Sequence, residues 1–359
     1  MDLHSRLILD EYREKLPAFN RLRDIIIPML NDAINKCGME VTSVGARIKT
    51  EHSLAGKLAL KGSKYASLSD ITDILGARII TYYTDDVDRI ASMIEQIFDI
   101  DWENSVDKRK LHQPDSFGYN SLHYICRLKP TDNTPSEQPE IYNLRFELQL
   151  RTTLQHAWAT LNHDIGYKSG VEVPPEYLRR INRLAGLLEL ADDESSRIRT
   201  EINTYRHRIQ TLLQSGKLEN IPLDGDSFNS YLQTRPFDAL NRKIAAINQA
   251  EITEVPLITY LPVLKQLGCR TLNDVEIFKN EYATDAYLLA RHQIGHTDLD
   301  ILASSIGLQN LCIVAVLTKG GGKIGLKYLF DIVNGENDSN ILLADITYNQ
   351  AKDLPFVNK

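Results

Sequence analysis

The chain has 359 residues, 43% of them apolar and 25% charged, and a formal net charge of −7. It is too long for one compact core, and its composition is that of an ordinary globular protein of about two domains. The acidic balance excludes a broad nucleic-acid-coating surface but leaves room for a local basic pocket.

In chain order, the amino terminus Met1-Asp2-Leu3-His4-Ser5-Arg6 lacks a signal-peptide core. Residues 19–37 place Phe19, Leu22, Ile26 and Ala33 on one stripe, which predicts an amphipathic helix. Pro17 should sit near its start, Pro28 should kink it and Gly38 should follow its end, so residues 1–40 form a helical segment. Residues 57–64 and 87–98 also read as helices. Residues 77–83, 121–128 and 145–152 read as strands, from their β-branched, aromatic and alternating side chains. The proline- and Ser/Thr-rich stretch 131–139 reads as a loop between two strands. Apolar residues then recur at three- and four-residue steps from Leu178 to Leu213, which predicts one or two long helices in an extension over 171–216. Asp224-Gly225-Asp226-Ser227 marks a linker over 217–227, and residues 228–359 read as a second, mostly helical domain with a strand-like run at 311–317. Cys37, Cys126, Cys269 and Cys312 show no CxxC spacing, as idle thiols in a reducing cytosol would. No apolar run reaches membrane-spanning length, so the expected location is cytoplasmic, with no membrane partner.

Four polar clusters carry chemistry. Arg47, Lys49, Ser53, Lys57, Lys61 and Lys64 run from an extended piece onto a helix, a spread of charge that suits a triphosphate. The same lysines also fit a plain solvated helix face. Asp73 precedes the strand that holds Arg78, close to Gly76, where a carboxylate can take Mg²⁺ or simply close a turn. In Phe117-Gly118-Tyr119-Asn120-Ser121-Leu122-His123, residues Tyr119, Ser121 and His123 share parity. The tyrosine can stack on a base, worth about 1–3 kcal/mol, or fill a core. Finally, Phe146 to Thr152 alternates, with Phe146, Leu148 and Leu150 on one face and Glu147, Gln149 and Arg151 on the other. His156 and His163 lie seven residues apart on the helix expected to follow.

Together, in order and spacing, these clusters resemble the synthetase domain of the RelA/SpoT alarmone synthetases over about residues 41–170. The Gly-Tyr-x-Ser-Leu-His and Glu-x-Gln-x-Arg-Thr strings are the specific part. Leu154-Gln155-His156-Ala157-Trp158 and His163-Asp164-x-Gly-Tyr167-Lys168 look most like the small alarmone synthetase branch, toxin-like members included. The resemblance implies an α/β (α+β) fold: a mixed-sheet, nucleotidyltransferase-like core flanked by helices. It implies ATP-dependent transfer of pyrophosphate to the 3′-hydroxyl of GDP or GTP. Arg47, Lys49, Ser53, Lys57 and Arg78 would hold ATP, and Asp73 and Glu147 would act catalytically and bind Mg²⁺. Lys108, Tyr119, His123, Gln149, Arg151 and His156 would hold the acceptor. The loop Val106-Asp107-Lys108-Arg109-Lys110 and Phe117 depart from the guanine-dedicated pattern. Adenine nucleotides or the 3′ end of tRNA therefore stay open as acceptors, as does a silent nucleotide-binding regulator.

Thr318 to Lys323 misses the GxxxxGK[ST] spacing and reads as a loop, not a phosphate cradle. His292, His296 and Asp298 read as a helix end instead of a metal set. No hydrolase-type metal ligands precede the synthetase stretch, so the expected chain makes but does not destroy its product. Residues 228–359 would restrain or trigger it through a protein or ligand; the sequence does not give the oligomeric state, though the resemblance leaves room for a homo-oligomer, since small synthetases of this type often assemble.

Overall fold

The structure, a computed structural model, describes residues 2–107, 109, 121–130, 140–167 and 175–357; for 163–167 and 175–176 it describes the backbone alone. The chain divides into two compact units, Met1–Thr200 and Glu201–Lys359.

The first unit opens with α1 (Leu3–Lys36), β1 (Val41–Ile48), α2 (Glu51–Lys61), β2 (Leu75–Thr81) and α3 (Thr84–Ile97). It continues with β3 (Phe98–Ile100), β4 (Val106–Asp107), β5 (Leu122–Leu128), α4 (Glu140–Asn143), β6 (Phe146–Thr152), α5 (Thr153–Tyr167) and most of α6 (Pro175–Gln214). The strands form a mixed sheet in the order β1-β2-β6-β5-β3, with β4 also on β5. Strands β2 and β6 run parallel, and the other described pairs are antiparallel. This is the mixed α/β core expected, and the three expected strands lie within two residues of their anticipated limits.

Helix α1 differs from expectation. It begins at Leu3, not near residue 19, because Asp2 caps it by accepting the Ser5 N–H at 2.7 Å. Pro17 and Pro28 both lie inside it. An interior proline costs about 3 kcal/mol. Here the buried stripe Ile8, Leu9, Tyr12, Phe19, Leu22, Ile26, Leu30 and Ile34 outweighs that, since each such side chain contributes about 1.5–3 kcal/mol on burial. That stripe packs with Ala77, Ile79, Leu148 and Leu150 in one core, which leaves the other parity of β2 and β6 for polar side chains.

The second unit takes up the end of α6 and adds α7 (Gly225–Leu232), α8 (Asp238–Ala245), β7 (Glu251–Thr253), α9 (Leu261–Gln266) and α10 (Leu272–Ile294). After these come β8 (Ile301–Ala303), α11 (Ile306–Thr318), α12 (Gly322–Asn334) and α13 (Ser339–Ala351), with β7 and β8 forming a parallel pair. The stretch 217–227, expected as a linker, is folded into this unit: Ile221 and Leu223 are buried, and Leu223 N–H donates to the Arg270 carbonyl at 2.8 Å. The run 311–317 is not a strand but part of α11. That helix is buried from Gly307 to Leu317 on nearly every side, so it shows no stripe that a helical reading could detect. Gly320 (φ +77°) and Gly322 (φ +51°) make a tight turn between α11 and α12. Gly295 ends α10 just past His292, as the expected helix end requires. Among the described residues no helix is long and apolar enough to cross a membrane.

Candidate active site

Register gives the site its floor. Residues directly opposite one another in a sheet share a face, so three rows run across the strands. One is Arg47, Gly76 and Glu147; the next is Gly45, Arg78, Gln149 and His123; the third is Ser43, Ile80 and Arg151. A cavity of about 520 Å³ lies over them, lined also by Lys49, Thr50, Ser53, Asp73 and His156. Gly45 and Gly76 keep it open, because a Cβ at either would meet nothing within 4 Å. Thr50 caps α2 by accepting the Ser53 N–H at 3.2 Å, which turns that helix start toward the cavity.

The two carboxylates are held differently. Asp73 sits between Lys57 Nζ at 2.8 Å and Lys49 Nζ at 2.9 Å. Burial works against its charge, but the two ammonium groups keep its carboxyl below the usual range. Glu147 belongs to a chain of contacts along the polar edge of β6. Ser121 Oγ and His123 Nε2 are 2.8 Å apart, and His123 Nδ1 and Glu147 Oε1 are 2.7 Å apart. Gln149 Nε2 then donates to Glu147 Oε2 at 2.9 Å, and Arg151 donates to Gln149 Oε1. Burial again opposes ionisation, but His123 and Gln149 together outweigh it, so Glu147 also stays below the ordinary carboxylate range. The guanidinium and carboxylate of one strand are thus bridged by an amide instead of neutralising each other.

The cations on the other side are short of partners. Among the described residues, Arg78 Nε, Arg151 Nε and His156 Nδ1 are buried with no hydrogen-bond partner. Burial and then Arg47 push the Arg78 guanidinium down. Burial and then Arg78 push Arg151 down to about 10, and His156 is lowered by burial, Arg78 and Arg151. Buried like charges without counterions make a site for a polyanion.

Of the residues expected from the sequence, the cavity gathers Arg47, Lys49, Ser53, Asp73, Arg78, Glu147, Gln149 and His156. Lys57 joins through Asp73, His123 through Glu147, and Arg151 through Gln149. Lys108 and Tyr119 lie outside the described residues. Ser43, Gly45, Thr50 and Gly76 were not anticipated as lining. Strand pairing exposes Ser43, Gly45 and Gly76, and the cap of α2 places Thr50, although two glycines in neighbouring strands hint at an open floor.

A cation-rich floor flanked by two carboxylates on a mixed sheet has the chemistry of a polyphosphate site. Residues 46–172 match the family described as "Region found in RelA / SpoT proteins". The GTP pyrophosphokinase YjbM of Bacillus subtilis (strain 168) is 28% identical over 160 residues, 44% of this chain and 72% of that protein. YwaC of the same organism, also a GTP pyrophosphokinase, is 27% identical over 161 residues, 44% and 73% of the two chains. The crystal structure of small alarmone synthetase 1 from Bacillus subtilis bound to its product pppGpp aligns with a TM-score of 0.47 at 22% identity, over 54% of this chain and 99% of that one. Residues 46–172 thus carry a RelA/SpoT-type region, and over that stretch the chain is GTP diphosphokinase-like, similar to the two Bacillus subtilis GTP pyrophosphokinases.

Proposed function

We propose that the protein transfers the β,γ-pyrophosphate of ATP to the ribose 3′-hydroxyl of GDP or GTP, giving (p)ppGpp and AMP. The observation that carries this is the set of buried nitrogens without a hydrogen-bond partner, Arg78 Nε, Arg151 Nε and His156 Nδ1, at and beside a cavity that also holds two ionised carboxylates. The names of the two relatives support a guanine nucleotide as acceptor and do not favour a tRNA-modifying toxin.

In this reading the acceptor 3′-oxygen forms a bond to the β-phosphorus as the α,β-bridging bond breaks, and AMP leaves with the bridging oxygen. Arg47, Lys49, Lys57 and Arg78, with the Thr50/Ser53 helix start, hold the ATP phosphates. Arg151 and His156, with Gln149, hold the acceptor phosphates, and Lys108 and Tyr119 complete the acceptor side. Glu147 accepts the 3′-hydroxyl proton, and His123 fixes the carboxylate rotamer by its 2.7 Å contact. The donor set fits Mg²⁺, which prefers one or two carboxylates together with phosphate oxygens and waters, and Asp73 and Glu147 would hold it. When bound it supplies charge neutralisation on the transferred phosphates. Among the described residues no group of three His, Cys, Asp or Glu side chains forms an all-protein metal cage. Lys49 and Lys57, paired with Asp73 here, would be free to turn to phosphate once Asp73 held the metal. Catalysis is then alignment and charge compensation, as phosphoryl transfer requires.

The test is to incubate the pure protein with labelled ATP and Mg²⁺ against GDP, GTP, ADP and tRNA separately. Label on GDP or GTP with release of AMP supports the reading. Label only on ADP or tRNA changes the acceptor, and binding without any labelled product points to a silent regulator.

A further inference from the structure

Helix α6 carries a polar stripe that meets the synthetase sheet. Asp192, Ser196 and Arg199 stand four and three residues apart and so share one helical face. Each touches the chain at, or just beyond, the end of a strand that bears site residues. Thr152 Oγ1, at the end of β6, donates to Asp192 Oδ2 at 2.5 Å. Thr84 N–H donates to Ser196 Oγ at 3.2 Å, and the two hydroxyls are 2.8 Å apart. Arg199 Nη1 donates to Asp86 Oδ2 at 2.6 Å and lies 4.4 Å over the Tyr83 ring. Asp192 is 2% exposed, which is rare for a carboxylate without a specific task.

Thr152 is the point where this seam enters the site. Its hydroxyl accepts the Gln155 N–H at 3.0 Å, and Gln155 Oε1 accepts the Thr152 N–H at 3.0 Å. This reciprocal pair starts α5 and fixes its direction. Arg151 directly precedes the pair and His156 directly follows it. A single hydroxyl therefore governs the corner between a strand cation and a helix imidazole, and a buried carboxylate holds that hydroxyl.

We propose that Asp192 is a positioning residue for the transfer reaction. By holding the Thr152 hydroxyl it sets the angle at which β6 hands over to α5, and so aims Arg151 and His156 at the acceptor phosphates. This rests on the function proposed above. It differs from mere support of the fold, because the load falls on two ligand-facing groups and not on general packing.

The test uses the full chain and measures KM for GDP, kcat, and the affinity for GDP in the presence of a non-hydrolysable ATP analogue. Asp192→Ala is expected to weaken GDP binding about tenfold, the usual scale for removing a group that orients a ligand-contacting side chain. Asp192→Asn keeps an oxygen acceptor and should return to within about threefold of wild type. Asp86→Asn loosens the same helix away from Arg151, so it should lower thermal stability while leaving GDP affinity unchanged. If Asp192→Ala does not fold, Asp192→Glu, which displaces the carboxylate by one methylene, should show the same selective loss. A folded Asp192 variant with lowered stability and wild-type GDP affinity overturns the positioning role alone. A wild-type protein that binds no nucleotide overturns the site reading and this inference together.

Discussion

Arg151 carries a positive charge that the ligand-free protein holds at a cost, and replacing it with methionine should show this directly. The side chain is 6% exposed, its Nε has no partner, and its recorded hydrogen bond goes to Gln149. Burial, Arg78 and Arg47 together lower its pKa well below the ordinary guanidinium value, to about 10, against a partial offset from Glu147. An arginine keeps its proton across the working range, so the depressed value measures how much the fold resists the charge. At about 1.36 kcal/mol per pH unit that depression is roughly 3 kcal/mol. The folded value lies below the unfolded one, so this cost is present in full below about pH 10 and fades only as pH rises above it. Arg151→Met keeps an apolar stem and removes the charge, while the lost hydrogen bond takes back about 1.5–3 kcal/mol. The net gain is about 1 kcal/mol, which for a unit of this size raises the melting temperature by about 2–4 °C. Calorimetry without nucleotide reads that rise. Calorimetry with GDP and a non-hydrolysable ATP analogue reads its counterpart, the loss of most of the ligand-induced stabilisation that wild type shows. A ligand-free variant that melts below wild type, or one that keeps the full GDP response, refutes the reasoning.

Glu147→Gln should leave the melting temperature close to wild type and lower turnover by about 10²–10⁴-fold, the range for losing a general base, as read by labelled product per minute. Gly76→Val should fold as well as wild type, because its Cβ meets open space and valine favours a strand. Its methyl groups would stand on the cavity floor between Arg47 and Glu147, so KM for ATP should rise at least about tenfold, and an unchanged KM would count against the placement of ATP. His156 is held below its ordinary 6.5 by burial, Arg78 and Arg151. Its folded pKa is below the unfolded one, so the ligand-free protein loses stability as pH falls below about 6.5. Bound phosphate reverses that preference, so nucleotide affinity should rise as pH falls from about 7.5 to 6, and His156→Gln should flatten the profile in titration calorimetry.

Period-two alternation made the site strand legible: Glu147, Gln149 and Arg151 had to share a face once Phe146, Leu148 and Leu150 were buried. Their connection could not be read, because it depends on a side-chain amide between two charges and on His123 arriving from β5. Helix α1 was legible only in its second half. Two prolines argued for breaks, and only the buried run from Ile8 shows why the helix survives them. Strand β1 appeared as a short extended piece, since Gly45 and Ser43 lack strand-forming side chains, yet those small residues are what leave the cavity open. α11 was misread because a helix buried on nearly all sides has no polar face to set its period. Asp192 left no mark at all, since one carboxylate in a charged helix looks solvated until its partner Thr152, forty residues earlier, is placed beside it.

Charge accounts for how this cavity could attract polyanions in an acidic protein. Arg47, Lys49, Lys57, Arg78 and Arg151 bring five positive charges against two on Asp73 and Glu147, a local balance of +3 within a chain of net −7. The surrounding negative field repels anions from most of the surface and leaves the cavity as the place where phosphate is favoured. Inside, the charges are divided unevenly. The two lysines are already paired with Asp73, whereas Arg78 and Arg151 each keep a buried nitrogen without a partner. Those free nitrogens could engage phosphate at no loss of an existing ion pair. The lysines, tied to Asp73, would first have to give that pair up.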